Sequence, residues 1–138
     1  MKNVLILCTG NSCRSIMAEA FINHDLPDYW KAFSAGVEPS KLNPRAVRVM
    51  EEVGISLDNY SSKSVEEFLE REDLYLVVTV CDHARETCPV FMKPVEQVHV
   101  GFEDPAPFTD KPDEIALPKF RKVRDEIRKT LIEYLKNR

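Results

Sequence analysis

A short stretch near the amino end, CTGNSCRS over residues 8–15, carries the residue types of a covalent reaction on an anion. A cysteine is followed by five small or polar residues, and then by an arginine and a serine. A thiolate is a strong nucleophile, and a guanidinium group can bind two oxygens of one oxyanion. The spacing from Cys8 to Arg14 and Ser15 therefore predicts a loop that binds a tetrahedral anion above a reactive sulfur.

The residues on either side explain how such a loop could be built. Val4 to Leu7 form a continuous apolar run, typical of a strand buried on both faces, and an apolar stripe at helical spacing follows from Ile16. A loop between a strand and a helix can turn its backbone N–H groups inward to hold an oxyanion. Gly10 and Asn11 tolerate the positive φ angles that a tight cradle needs. The predicted oxyanion-binding residues are Thr9, Gly10, Asn11, Ser12, Cys13 and Arg14.

The side chains of the loop are expected to differ in their roles. The helix N-terminus and Arg14 favour the thiolate form of Cys8. Ser15 can cap the helix, and it could also donate a hydrogen bond to that sulfur. Cys13 is expected to lend its backbone to the cradle and to keep its thiol buried and unused.

Two further thiols can join this chemistry. Cys81 follows the apolar run Leu74 to Val80, so Cys8 and Cys81 each stand at the carboxyl end of a predicted strand. Ligands of open α/β sheets bind at that edge, so the two thiols can meet in space. If residues 81–88 are helical, Cys88 lies about 10.5 Å further along the axis, which is too far for a disulfide. The segment would then have to unwind for Cys81 and Cys88 to bond.

Strands alternate with helices along the rest of the chain. Strands are predicted at 4–7, 30–35, 74–80 and 95–100, and helices at 15–23, 44–53, 64–69 and 119–136. Residues 101–118, which are rich in proline and acidic side chains, are predicted to be a loop. This order predicts an α/β fold: a single domain over residues 1–138, with a parallel four-stranded sheet and helices on both faces.

Composition limits the partners. The formal net charge is -4, so no general basic field attracts nucleic acid or a membrane surface. The apolar start is too short for a signal peptide, and no run reaches the roughly 20 apolar residues of a membrane span. A cytoplasmic location is therefore expected, and the four cysteines should not form a structural disulfide framework. They also lack the C-x2-C spacing of structural zinc sites.

The stretch CTGNSCRSIMAEA, residues 8–20, resembles the active-site loop and first helix of the low-molecular-weight protein tyrosine phosphatase fold. In the phosphatases an aromatic residue follows the Asp-Pro pair that carries the general acid, whereas Ala106 follows Asp104-Pro105 here. That form, with the additional cysteines, is most similar to the thioredoxin-coupled arsenate reductases. The resemblance extends through SAG at 34–36, NPRAV at 43–47, LVVTVC at 76–81, GFEDPA at 101–106 and VRDEI at 123–127.

The resemblance implies a thiol relay that detoxifies arsenate. Cys8 attacks arsenate, and water leaves with the assistance of Asp104. Cys81 then attacks the sulfur of Cys8, arsenite departs, and a Cys8–Cys81 disulfide forms. Cys88 attacks Cys81, which frees Cys8, and thioredoxin reduces the Cys81–Cys88 bridge. We accordingly expect a monomeric enzyme without a bound cofactor, with arsenate as substrate and phosphate as its analogue.

One position departs from the family pattern. Several of these reductases bind potassium beside the catalytic loop, and the matching residues here include Asn11, Glu19 and Ser34. The remaining family ligand is an aspartate, but aligning NYSSKS places Lys63 there. A lysine would repel potassium and could set its ammonium group against Glu19. We therefore predict that no metal binds and that Lys63 replaces the ion.

Two other functions remain compatible with the sequence. A low-molecular-weight protein tyrosine phosphatase would need Cys8, Arg14 and Asp104 but neither of the later cysteines. Weak phosphatase activity is expected in either case, because arsenate and phosphate are nearly isosteric. A thiol redox sensor or metal-binding module would keep the cysteines but would have no use for Arg14 and Asp104.

Overall fold

The computed structural model describes residues 1–138. Eight helices and strands follow one another along the chain, and two short 3-10 turns lie at Val65–Phe68 and Ala106–Phe108. The elements are β1 (Lys2–Cys8), α1 (Arg14–Asp25), β2 (Trp30–Gly36), α2 (Pro44–Glu52), β3 (Leu74–Thr79), α3 (Asp82–Thr87), β4 (Glu96–His99) and α4 (Asp113–Lys136). No helix is both long and apolar enough to cross a membrane.

The four strands form one parallel sheet in the order β2-β1-β3-β4, which confirms the predicted fold class. Val4, Leu5, Ile6 and Leu7 of β1 are fully buried. Because successive side chains of a strand point to opposite faces, both faces of the sheet must be covered. Helices α1 and α4 pack against each other, and α1 also contacts β1 and β2.

The neighbouring strands β1 and β3 bring two cysteines to one edge of the sheet. Leu7 is paired with Thr79, and the Val80 N–H group donates to the Leu7 carbonyl at 2.9 Å. Cys8 ends β1 and Cys81 lies just beyond β3. Both cysteines therefore lie at the same carboxyl edge of the sheet, as predicted from the sequence.

The predicted loop over residues 101–118 is wrong in its second half, because α4 begins at Asp113 rather than at Lys119. Pro118 lies inside this helix, where its ring removes one backbone hydrogen bond. The helix still forms there because an acidic first turn suits its positive end. Arg45 of α2 also binds Asp113 at 2.5 Å. A proline is thus a poor guide to this helix start.

Candidate active site

The carbonyl groups of the loop between β1 and α1 point outward and accept hydrogen bonds from a neighbouring segment. The segment after β2 donates to them at 2.8 to 3.2 Å, from the N–H groups of residues 37, 38, 40 and 43 to the carbonyls of residues 8, 9, 10 and 12. The backbone N–H groups of residues 10–13 have no acceptor within the protein. Buried N–H groups are nearly always paired. The loop therefore presents a set of donors that an oxyanion would satisfy.

Close packing and one unusual backbone angle fix the shape of the loop. A Cβ atom on Gly36 would lie 2.6 Å from the Thr9 carbonyl oxygen, so only glycine fits at the end of β2. Asn11 has a φ of 50°, as the sequence predicted. Gly10 does not take a positive φ, contrary to expectation. Gly10 is needed for a different reason. It has no side chain, so Ser40 can approach it closely, and an added Cβ would lie 2.9 Å from the Ser40 hydroxyl.

A network of short hydrogen bonds lies beneath the loop and ends on the first cysteine. The Ser15 hydroxyl donates to the sulfur of Cys8 at 3.2 Å. The Asn11 amide donates to Ser15 at 2.7 Å and to Ser34 at 2.9 Å, and Ser34 donates to the Glu19 carboxylate at 2.5 Å. Because Ser15 accepts from Asn11, its own proton is directed at Cys8. A hydrogen bond of this kind stabilises a thiolate.

Ser15 does not cap α1, although the sequence allowed that role. The helix begins at Arg14, and Cys13 takes the capping position without a side-chain hydrogen bond. Ser15 is the second residue of the helix and so lies past the capping position, and its hydroxyl instead contacts Cys8 and Asn11. The first N–H groups of α1 therefore stay open to an anion, in the field of the helix N-terminus.

Arg14 and Asp104 face each other beside the loop. The Arg14 side chain donates from Nη1 to the Phe102 carbonyl at 3.0 Å, and its Nη2 lies 3.4 Å from Asp104 Oδ2. Its Nε is buried without a partner. An orphaned donor in a buried guanidinium indicates a missing acceptor, and an oxyanion oxygen would supply it. The Asp104 side chain is 43% exposed, so it lies at the rim, where a proton can be exchanged with solvent.

Cys13 is buried within the loop, as the sequence predicted, with 2% of its surface exposed. Burial, followed by the negative charges of Asp104 and Cys8, raises the pKa of Cys13 to about 12. Its sulfur therefore remains a protonated thiol near neutral pH. The contrast with Cys8, which accepts a hydroxyl hydrogen bond, indicates which thiol of the loop is the nucleophile.

The other two cysteines stand at the two ends of α3. Cys81 is buried, its sulfur lies 3.2 Å from the Thr9 hydroxyl, and it accepts the Ala84 N–H at 3.4 Å as the helix cap. Cys88 follows the last turn and is half-buried, and its burial raises the pKa of its thiol. The structure therefore places Cys81 against the active-site loop and keeps Cys88 a helix length away.

Lys63 approaches the network from the outside. Its backbone N–H donates to the Asn11 side chain at 2.8 Å, and its ammonium nitrogen lies 3.9 Å from Glu19. Burial raises the pKa of Glu19, while the hydrogen bond from Ser34 and the charge of Lys63 act in the opposite direction. A second cation beside Glu19 would be repelled by the ammonium group of Lys63 at this distance.

Some contributors to the site could not be inferred from residue types. The Phe102 carbonyl, which holds Arg14, is a main-chain group and carries no sequence signal. The Ser62 hydroxyl donates to the Asn11 carbonyl at 2.6 Å. The only sequence signal for this contact is indirect: a positive φ at Asn11 needs a partner that holds the backbone in place. Thr9 was predicted as a member of the cradle, but its hydroxyl contact with Cys81 depends on strand order. The structure brings no three His, Cys, Asp or Glu side chains together as a metal site.

Comparison with known proteins places this geometry in a family. The family model for low molecular weight phosphotyrosine protein phosphatase matches residues 3–137. An arsenate reductase of Halalkalibacterium halodurans is 45% identical over 131 residues, which are 94% of this chain and 92% of the relative.

Solved structures agree with the sequence relatives. A structure described as an arsenate reductase in the phosphate binding state has a TM-score of 0.80 at 30% identity, covering 99% of this chain and 98% of its own. A low molecular weight protein tyrosine phosphatase from T. tengcongensis has a TM-score of 0.76 at 27% identity, with both chains fully covered. The chain therefore belongs to the low-molecular-weight phosphotyrosine protein phosphatase family and, within it, to the arsenate reductases.

Proposed function

We propose that this protein reduces arsenate to arsenite through the relay of Cys8, Cys81 and Cys88. The observation that carries the proposal is the position of Cys81. Its sulfur contacts Thr9, the residue next to Cys8, at the mouth of an anion-binding loop. Hydrolysis of a phosphoester needs one nucleophile and has no use for a second thiol at that point. Reduction of a bound oxyanion does need it.

The first step is nucleophilic attack on arsenic. Arsenate is held by the free N–H groups of the loop and by Arg14, whose Nε has no other hydrogen-bond partner and donates to an arsenate oxygen. The Cys8 thiolate forms a sulfur–arsenic bond, and one arsenic–oxygen bond breaks. The departing oxygen leaves as water, after receiving a proton by way of Asp104. The Ser15 hydroxyl keeps Cys8 oriented toward the anion.

The second step transfers two electrons to arsenic. The Cys81 thiolate attacks the sulfur of Cys8, the electron pair of the sulfur–arsenic bond passes to arsenic, and arsenite departs. In the third step Cys88 attacks Cys81, so a Cys81–Cys88 disulfide forms and Cys8 leaves as a thiolate. Cys81 and Cys88 flank α3, and at about 1.5 Å of rise per residue they lie on the order of 10 Å apart, whereas a disulfide needs Cα atoms roughly 4.4–6.8 Å apart. The third step therefore requires α3 to unwind.

The new disulfide has to be reduced by an external dithiol, for which we propose thioredoxin in the cytoplasm, acting on a monomeric enzyme. Unwinding of α3 would expose the Cys81–Cys88 bridge. The segment after Cys88 already presents Val90 and Met92, which are 89% and 72% exposed. A surface of this kind beside the bridge suits a docking protein dithiol. A reducing compartment also suits three thiols that must start reduced.

Steady-state arsenite release tests the proposal. The protein should form arsenite over many turnovers when arsenate, thioredoxin, thioredoxin reductase and NADPH are supplied, with one NADPH oxidised per arsenite. Without thioredoxin, release should stop at about one arsenite per protein molecule, because forming one disulfide from the relay thiols supplies only two electrons. Phosphate in place of arsenate serves as the control and should consume no NADPH. Arsenate-independent NADPH oxidation, or no arsenite, would refute the assignment.

Slow phosphatase activity is a second candidate, because the loop, Arg14 and Asp104 would bind phosphate as well as arsenate. Cleavage of p-nitrophenyl phosphate at this anion site would use Cys8 as its only thiol, with Asp104 as the acid. We propose this activity as a side reaction and not as the main function, since it leaves Cys81 and Cys88 without a role.

We further propose that Lys63 replaces the cation of related enzymes. Exchange of sodium chloride for potassium chloride should change kcat/KM for arsenate by less than about twofold, because the ammonium group already neutralises Glu19. The variant Lys63→Asp should gain several-fold from potassium, since it replaces the repelling charge with a carboxylate ligand. A several-fold potassium effect on the unmodified enzyme would contradict this role.

A further inference from the structure

A chain of three side chains outside the reacting groups ties the start of α3 to the sheet. Thr79 is the last residue of β3, and its hydroxyl lies 2.8 Å from Nδ1 of His99 at the end of β4. Nε2 of the same ring lies 3.2 Å from the carboxylate of Asp82, the first residue of α3. The Thr79–His99 contact is a hydrogen bond, and the Thr79 hydroxyl also lies 3.5 Å from the Val98 carbonyl. The approach of Nε2 to Asp82 is a close polar contact with the carboxylate and not an aligned hydrogen bond.

The two ends of this chain flank the thiol that attacks Cys8. Thr79 lies two residues before Cys81, and Asp82 directly follows it. His99 therefore fixes the backbone on both sides of Cys81, whose sulfur rests against Thr9. The ring itself is confined, because a Cβ atom on Gly101 would lie 3.0 Å from its Nε2. Only about a fifth of the His99 side chain, 22%, is exposed.

The arrangement of hydroxyl, imidazole and carboxylate is not a hydrolytic triad. Thr79 is 3% exposed, so its oxygen is out of reach of a substrate. The other inter-element ion pair of α3 is longer. His83 lies 3.6 Å from Glu38, and these side chains are 46% and 71% exposed, which leaves the pair screened by solvent. His99 is the more covered of the two histidines and its contact is shorter, while Asp82 itself is 77% exposed and also lies 3.8 Å from Arg85 of α3.

We propose that His99 is a positioning residue for the thiol relay, an inference that rests on the proposed function. It holds the N-terminus of α3 so that Cys81 faces Cys8 while the first disulfide forms. Its contact with Asp82 must break when α3 unwinds and Cys88 reaches Cys81. Loss of His99 should therefore slow the first disulfide and speed the second. General destabilisation of the protein would not separate the two steps in this way.

Rapid quenching after addition of arsenate measures both steps in the full-length protein. Thiols are alkylated at each time point, and the disulfides are identified by mass spectrometry. In a Cys88→Ser background, His99→Gln should form the Cys8–Cys81 disulfide about threefold more slowly, the size expected for one partly exposed contact with a carboxylate. With Cys88 present, conversion to Cys81–Cys88 should become about threefold faster.

Matched variants isolate the contact. Asp82→Asn should reproduce the effect, and combining it with His99→Gln should add little, because both remove the His99 contact and the exposed 3.8 Å pair of Asp82 with Arg85 contributes little. If His99→Gln fails to fold, Asp82→Asn takes its place in the experiment. His83→Gln, which removes the exposed pair on the same helix, should leave both rates within about 1.5-fold.

The outcomes separate two kinds of failure. A parent protein that forms no Cys8–Cys81 disulfide with arsenate would overturn the proposed function, and this inference with it. A parent that runs the relay, with the first disulfide forming at the same rate in His99→Gln and Asp82→Asn, would overturn the role of His99 alone. Equal slowing of both steps, or an equal effect of His83→Gln, would also overturn that role.

Discussion

Cys88→Ser should release about one arsenite per protein molecule and then stop, with the multiple-turnover rate at least about 100-fold below that of the unmodified enzyme. The first two steps use Cys8 and Cys81, which this change leaves in contact with the active-site loop. The Cys8–Cys81 disulfide then has no thiol to resolve it. The measurement is arsenite formed against time with thioredoxin, its reductase and NADPH present.

The control for this experiment lies in the same variant. Hydrolysis of p-nitrophenyl phosphate by Cys88→Ser should stay within about twofold of the unmodified rate, because Cys88 is a helix length away from the anion loop. Continued arsenate turnover by the variant would show that Cys88 is not part of the relay. Loss of both activities together would instead indicate damage to the loop.

Arg14→Lys should lower kcat/KM for arsenate by about 100- to 1000-fold, the range found when an oxyanion donor is removed. A lysine has no planar fork and cannot replace Nη1 at the Phe102 carbonyl, Nη2 at Asp104 and the buried Nε at once. Hydrolysis of p-nitrophenyl phosphate should fall to a similar degree, because both reactions use the same anion site. Steady-state kinetics on both substrates measure the effect.

Arg45→Lys offers a matched control, because Arg45 is also a largely covered arginine that binds a carboxylate, here Asp113 on α4. It lies outside the anion loop, so we expect kcat/KM within about threefold of the unmodified enzyme. If Arg14→Lys kept more than about a third of the activity, the guanidinium would not be the anion clamp that the buried Nε indicates. Equal losses in both variants would point to stability and not to binding.

The sequence predicts the fold and the meeting of the thiols for definite physical reasons. The unbroken apolar run of β1 and the alternation with helices indicate a parallel sheet. Parallel strands end at one edge, so Cys8 and Cys81 had to lie near each other if β1 and β3 were neighbours. Strand order is what the sequence leaves open, and the pairing of Leu7 with Thr79 supplies it.

Other details depend on competition between contacts and could not be read from residue types. Ser15 is a good capping residue, but it lies past the capping position and its hydroxyl contacts Cys8 and Asn11. Pro118 usually marks a helix boundary, yet α4 begins before it, with an acidic first turn and with a contact from Arg45 to Asp113. The Phe102 carbonyl and the Lys63 N–H act through the main chain, where any residue offers the same groups.

Disulfide mapping after exposure to arsenate tests the central claim most directly, namely that Cys8 passes its oxidation to Cys81 and then to Cys88. Fully reduced protein is incubated with arsenate in the absence of thioredoxin, alkylated in denaturant so that buried Cys13 also reacts, digested and examined by mass spectrometry. We predict a Cys81–Cys88 disulfide with Cys8 and Cys13 alkylated, and a Cys8–Cys81 disulfide in Cys88→Ser. Four alkylated cysteines in the unmodified protein would contradict the account.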